Sequence, residues 1–210
     1  MAGDKHKGLL GSVYAAKSPD EIAALYDAWA ATYEKEMAEI GYRHPSVGLA
    51  LLTRHLARGA APVLDAGAGT GLLGEWLAIL GYPHVEALDI SEGMLAVAAA
   101  KGCYRKLHRL ALGGALPFAD GQFAGVTAVG VFSTGHVGPE GLGELVRCTR
   151  KNGVIVLTIK LALWERSFRA AVAELVGAGC VSIAEETPPY VSMPTDKATT
   201  PSKGMVLRVS

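Results

Sequence analysis

Apolar residues near the start of the chain recur at helical spacing. They fall at Ile22, Leu25, Tyr26, Trp29, Tyr33 and Met37 and stop at Gly41, which predicts one helix opening at Ser18. Ser18 is a good N-cap, Pro19 suits the first helical position, and Glu21 completes a capping box. A second helix is predicted from Pro45 to Arg58, carrying Leu49, Leu52 and Leu56 and closing at Gly59.

From Pro62 the period changes, and short apolar runs alternate with helical ones. The pattern predicts strands at 62–66, 84–90, 106–112, 123–132 and 153–160, with helices at 70–80, 92–101, 139–150 and 162–178. Strands separated by helices of this length imply right-handed crossovers and a parallel sheet covered on both faces. Val126 to Phe132 and Val154 to Ile159 are apolar enough for burial on both sides. Two last strands, 180–185 and 204–209, have no helix between them and are expected to run antiparallel. The loop 186–203, with four prolines, is the longest irregular stretch. The expectation is an α/β, Rossmann-like, doubly wound, mostly parallel seven-stranded sheet with one antiparallel strand in its edge region. Residues 1–210 form one domain in this scheme, with 1–59 a helical lid and 60–210 the core.

Composition narrows the function classes. Twenty basic and twenty acidic side chains cancel, so nucleic acid is not expected as an electrostatically captured partner. No apolar run approaches the ~20 residues of a membrane span, and Met1 to Gly8 lacks an apolar signal core. Three cysteines without metal or redox spacing suit a reduced cytoplasmic compartment.

The 26 glycines carry more information, above all in Val63-Leu64-Asp65-Ala66-Gly67-Ala68-Gly69-Thr70-Gly71-Leu72-Leu73-Gly74. A buried strand ends in a carboxylate, and a glycine-packed turn feeds a helix whose first N–H groups are unpaired. Gly69, Gly71 and Gly74 also fit the dinucleotide spacing G-x-G-x-x-G, with Asp89 about 20 residues on. Three features favour a cationic adenosyl ligand over a nicotinamide. Asp65 would repel a pyrophosphate, about 60 residues precede the loop, and the reversed strand does not belong to the dinucleotide plan.

The segment resembles motif I of the class I S-adenosylmethionine-dependent methyltransferases. Leu88-Asp89-Ile90-Ser91 with Gly93-Met94-Leu95 resembles the family's second motif, Leu116-Pro117-Phe118 the segment before its fourth strand, and LVRCTRKNGVIVLT (145–158) its fifth-strand region. Tyr26 to Tyr33, then Tyr42-Arg43, is similar to the N-terminal segment of the methyltransferase-like proteins named after the Williams–Beuren chromosome region. The likeness spans roughly residues 22 to 160. It implies S-adenosylmethionine as cofactor, S-adenosylhomocysteine as product, and Asp89 holding the ribose hydroxyls. A helix cap before Ser91 is the other role open to Asp89. The pattern is broken at Leu112, where many relatives carry an acid that recognises adenine, and at Ala124 and Asn152.

Ligands of such sheets bind outside the carboxyl ends of the strands. That gathers Asp65, Ala66, Gly67, Gly69, Leu72, Asp89, Ile90, Ser91, Met94, Leu112, Gly113, Val129 and Gly130 around one crevice. Tyr26, Trp29 and Tyr33 share a helix face, either as an aromatic lid over the cation or as packing onto the sheet. His136, after the fourth strand, is the one histidine expected at the acceptor side, as a base, a cofactor contact or a plain loop residue. Thr187-Pro188-Pro189-Tyr190 resembles a motif of adenine-N6 methyltransferases but follows the wrong strand and lacks the first amide. Its position still brings Tyr190 and Met193 toward an acceptor pocket. The expected acceptor is a small molecule. A cofactor-binding regulator without transfer, and a nicotinamide-dependent oxidoreductase, are the other functions considered.

Overall fold

The computed structural model describes residues 8–133 and 137–210. Its centre is a sheet in the order β3(Lys106–Arg109), β2(Val85–Asp89), β1(Val63–Ala66), β4(Phe123–Phe132), β5(Thr149–Lys160), β8(Pro201–Val209), β6(Val181–Glu186). A two-residue strand, β7(Tyr190–Val191), pairs with the start of β8. β3 through β5 are parallel, and β8 is antiparallel to both β5 and β6. The reversed strand therefore lies one in from the edge, and β6 forms the edge itself.

Alternation along the strands divides the core between the two faces. Val63, Val154, Val156 and Val206 point to one side, where Leu51 and Leu52 of α4(His44–His55) and Leu73 and Leu77 of α5(Leu72–Ile79) cover them. Leu64, Ile155, Leu157 and Leu207 point to the other, under α7(Leu142–Cys148) and the helical stretch that ends in α9(Arg169–Gly177). That stretch begins as α8(Leu161–Leu163) and loosens to one π turn at Trp164–Phe168, so the single helix expected over 162–178 is segmented. α6(Glu92–Ala100) follows β2, with Ser91 as its N-cap.

The N-terminal segment differs most from expectation. An unexpected helix, α1(Gly8–Ala15), comes first, and the long helix over 18–41 is two, α2(Pro19–Trp29) and α3(Tyr33–Glu39). Thr32 occupies the N-cap of the restart without a side-chain capping bond, and Tyr33 and Met37 return to the face of Trp29, so the apolar period runs through the break. Val13, Trp29, Ala30, Met37 and Met94 form a small third core that fastens these helices to α6. Asp27 adds a polar latch: its Oδ1 accepts from Ser91 Oγ (2.5 Å) and Gly93 N (2.8 Å) at the start of α6. A Cβ on Gly93 would stand 2.9 Å from Asp27 Cα, so the glycine permits this close approach.

The irregular stretch after β7 folds back over the α3–α4 junction. Ser192 O accepts from Arg43 N (2.9 Å), Thr195 Oγ1 donates to Glu39 O (3.3 Å), and Tyr190 Oη shares a 2.6 Å hydrogen bond with His44 Nδ1. The N-terminal helices and this C-terminal strap meet above the carboxyl ends of β1, β2, β4 and β5.

Candidate active site

A cavity of about 170 Å³ opens at those strand ends. Of the residues expected there, Tyr26, Tyr33, Asp65, Gly67, Gly69, Leu72, Asp89, Ile90, Met94, Leu112, Val129 and Gly130 line it. Four do not. Trp29 is 1% exposed and packs edge-to-face on Tyr33 at 4.9 Å, so it belongs to the core beneath the lid. Ala66 is buried within β1, Ser91 is spent on capping α6 and meeting Asp27, and Gly113 lies beyond the cavity wall beside Glu140. His136 lies outside the described residues.

The glycine loop is held open by its own backbone. Gly67 and Ala68 donate to Leu88 O at 2.6 and 3.0 Å, tying the loop to β2. Gly67, Gly69 and Gly71 all have positive φ, a region that side chains other than glycine adopt with strain. Nothing stands within 4 Å of a Cβ built on Gly69, so the loop presents bare backbone to a ligand. Thr70, which the sequence did not single out, lines the cavity with a buried Oγ1 lacking a partner among the described residues. Such a hydroxyl is costly to leave unsatisfied, and a polar ligand atom in the cavity would satisfy it.

Two carboxylates face this space. Asp89 Oδ2 accepts from Gly69 N (2.8 Å) and Oδ1 from Ser91 N (2.9 Å). The cap of α6 is Ser91, so the helix-cap role considered for Asp89 is taken. Each Asp89 oxygen retains a lone pair for a ligand hydroxyl. Burial raises its pKa, opposed by the backbone donors of Ser91, Gly69 and Ile90. Asp65, 2% exposed, accepts from Tyr104 Oη at Oδ2 and from Thr127 Oγ1 at Oδ1, both at 2.8 Å. Desolvation outweighs these donors and pushes its carboxyl up to about 6.

A second, smaller chamber of about 30 Å³ adjoins the first and shares Tyr33, Tyr42 and Gly130 with it. Tyr14, His44, Ser133, Lys160 and Met193 are among the other residues of its wall. His44 was missed at the sequence level because it reads as the start of an amphipathic helix, and only the fold turns it inward. Burial, with Lys160 nearby, lowers its pKa to about 3, so the ring is neutral at physiological pH. Gly130 has φ +80°, and a Cβ there would meet Tyr42 Oη at 2.1 Å. The bulge in β4 between Ala128 and Phe132 thus accommodates Tyr42 where the two chambers join.

Comparison with known proteins agrees with this architecture. Residues 64–157 match the family model described as a methyltransferase domain. The chain is 36% identical over 138 residues to human methyltransferase-like protein 27, covering 64% of this chain and 56% of that protein. It is 36% identical over 150 residues to the demethylmenaquinone methyltransferase of Renibacterium salmoninarum, covering 67% of this chain and 59% of the relative. The chain therefore spans somewhat over half the length of these curated relatives. Among solved structures, the 1,6-didemethyltoxoflavin-N1-methyltransferase of Burkholderia thailandensis, with its substrate and S-adenosylhomocysteine bound, superposes with a TM-score of 0.64. That likeness covers 93% of this chain and 92% of the other at 20% identity, and it shows the shared fold. With the sheet order, the glycine loop and the acid after β2 all present, the chain carries a methyltransferase domain over residues 64–157 and resembles the class I S-adenosylmethionine-dependent methyltransferases.

Proposed function

We propose that this chain transfers the methyl group of S-adenosylmethionine to a small-molecule acceptor. The observation that carries the proposal is Asp89, fixed by Gly69 N and Ser91 N at the rim of the larger cavity with acceptor capacity left on both oxygens. The bare backbone at Gly69 and the unpartnered Thr70 hydroxyl fit the same ligand.

When bound, the cofactor supplies an electrophilic methyl group on a positively charged sulfur. The protein's part is alignment and exclusion of water. Asp89 accepts from the two ribose hydroxyls. Asp65, with Tyr104 and Thr127 fixing its carboxylate, supplies negative charge toward the amino-acid end. Ile90 and Leu112 offer an apolar slot for adenine, in place of the acid that many relatives carry at position 112. Tyr26 and Tyr33 close over the donor from the lid, their faces suited to a cation. His136 remains the candidate base from the sequence, and the neutral imidazole of His44 in the smaller chamber is a second.

A small acceptor is supported by a sheet with no domain inserted between its strands: among the described residues, the helices before β1 and the strap at 192–200 cover the site. The relatives named for demethylmenaquinone and the neighbour holding a toxoflavin precursor act on small molecules by their names. Zero formal charge argues against nucleic acid, and no helix among the described residues is long and apolar enough to cross a membrane. We place the activity in the cytoplasm, in one domain of residues 1–210.

Calorimetry tests the proposal. The wild-type chain should bind S-adenosylmethionine and S-adenosylhomocysteine but not NAD. Asp89→Ala should lose at least about tenfold in affinity, the worth of a hydrogen bond to a charged acceptor. Unchanged affinity in Asp89→Ala would reject the assignment. A product scan with labelled cofactor and a metabolite library then separates a transferase from a silent cofactor-binding regulator.

A further inference from the structure

The smaller chamber carries a charge that donor binding does not use. Lys160, the last residue of β5, is 6% exposed and lines this chamber but not the larger cavity. Its ammonium is held by three uncharged oxygens: Ser192 Oγ at 3.2 Å, Thr199 Oγ1 at 3.4 Å and Thr200 O at 3.1 Å. Asp196 acts on it through space, and among the described residues no carboxylate lies within ion-pair distance. A cation withdrawn from water whose direct partners are all neutral dipoles is expensive, even with Asp196 acting at a distance, and an anion beside it regains strong attraction in a low-dielectric site. Desolvation brings its pKa down to about 8, which leaves it mostly protonated at neutral pH. Asp196 is the charged group that acts on Lys160 and Tyr14 from a distance. The titratable groups lining the chamber beside the lysine are neutral: the His44 imidazole is unprotonated, and the phenols of Tyr14 and Tyr42 have their pKa values raised by burial. The chamber's 30 Å³ holds about two water molecules, room for a head group rather than a whole ring.

We propose that this chamber is the acceptor subsite, and that Lys160 selects acceptors bearing an oxyanion, either a carboxylate or an ionised enol or phenol. Resting on the methyl-transfer function proposed above, this names the substrate class. The body of the acceptor lies toward Tyr33, Tyr42 and Gly130, where the two spaces join.

The experiment is calorimetry on the full chain saturated with S-adenosylhomocysteine, using matched probes. Benzoate is compared with benzamide, and 4-nitrophenolate with 4-nitroanisole. At least one charged probe should bind tenfold or more tightly than its neutral mate. Whichever pair shows the preference identifies the carboxylate or the phenolate. The preference should survive in Lys160→Arg and vanish in Lys160→Met, with S-adenosylhomocysteine affinity within twofold of wild type in both. Should Lys160→Met not fold, Lys160→Gln carries the same comparison. No charge preference in the wild type, or a preference that persists without the lysine, overturns the proposal. So does a fall in S-adenosylhomocysteine affinity in Lys160→Met, because Lys160 would then serve the donor. If the wild type does not bind S-adenosylhomocysteine at all, the donor function fails first, and that is seen before any probe is added.

Discussion

Tyr104 donates to Asp65 across the first turn of α5, its ring seated where Gly74 has no side chain. A Cβ on Gly74 would stand 2.2 Å from the ring. The last glycine of the loop therefore serves the carboxylate as well as the packing of helix on sheet. This relationship sets the first prediction. Asp65 has its carboxyl pushed up to about 6, mainly by burial, from an ordinary value of 3.8. A carboxyl raised in this way stabilises the unliganded fold while protonated, and that contribution is lost as pH rises through 6. A cationic ligand favours the ionised form, so donor affinity should move the other way, rising about tenfold between pH 5 and 7. Calorimetry across that range should show the rise in the wild type and a flat profile in Asp65→Asn. Tyr104→Phe, which removes a donor to the charged form, should shift the midpoint upward.

The lid aromatics divide by role. Trp29 is sealed in the core with Val13 and Met37, so Trp29→Ala should cost about 3–5 kcal/mol in urea unfolding. Tyr33 lines both chambers, and Tyr33→Ala should lower donor affinity by a larger factor than it lowers the folding equilibrium constant. Equal losses in Tyr33→Ala would make it a packing residue only.

Gly130 is predicted to be intolerant of any side chain. Gly130→Ala places a methyl against Tyr42 Oη at positive φ and should destabilise the chain by about 2–4 kcal/mol. Adding Tyr42→Phe removes the clashing hydroxyl and should restore part of that loss, leaving the backbone strain. Full additivity of the two changes in urea melts would contradict the contact.

Asp27 is exposed, and its carboxyl is held below the ordinary range by the Ser91 hydroxyl and then the Gly93 N–H. It fastens α2, which carries Tyr26, to the helix that follows Asp89. Asp27→Ala should reduce donor affinity several-fold while shifting the thermal midpoint by only a few degrees. A midpoint collapse with unaltered affinity would assign Asp27 to stability instead.

The repetitive parts of the fold were legible because they are written locally. Apolar runs such as Val154 to Ile159 bury both faces, and each helix between strands carries its own period. The glycine loop and Asp89 were legible for the same reason, since their chemistry lies within a few consecutive residues. The break at 30–32 was hidden because one short interruption returns Tyr33 and Met37 to the face they would occupy in a continuous helix. β7 is two residues long and has no alternation to detect. Tyr104, His44 and Lys160 reach the site through contacts across 32 or more positions, which no local pattern encodes. Trp29 shares its helix face with Tyr26 and Tyr33 yet lies in the core, because helical spacing gives a face but not how deep that face is buried.

The reversal of β8 has an evolutionary corollary. Because that strand begins beside the end of β5, with Ser202 opposite Lys160, the residues leading into it are delivered against the lysine, Ser192, Thr199 and Thr200 among them. Those contacts are encoded well apart from the glycine loop, although Tyr33, Tyr42 and Gly130 line both chambers. Drift or recombination confined to codons 187–200 would reshape the oxygens around Lys160 while leaving every residue of the glycine loop untouched.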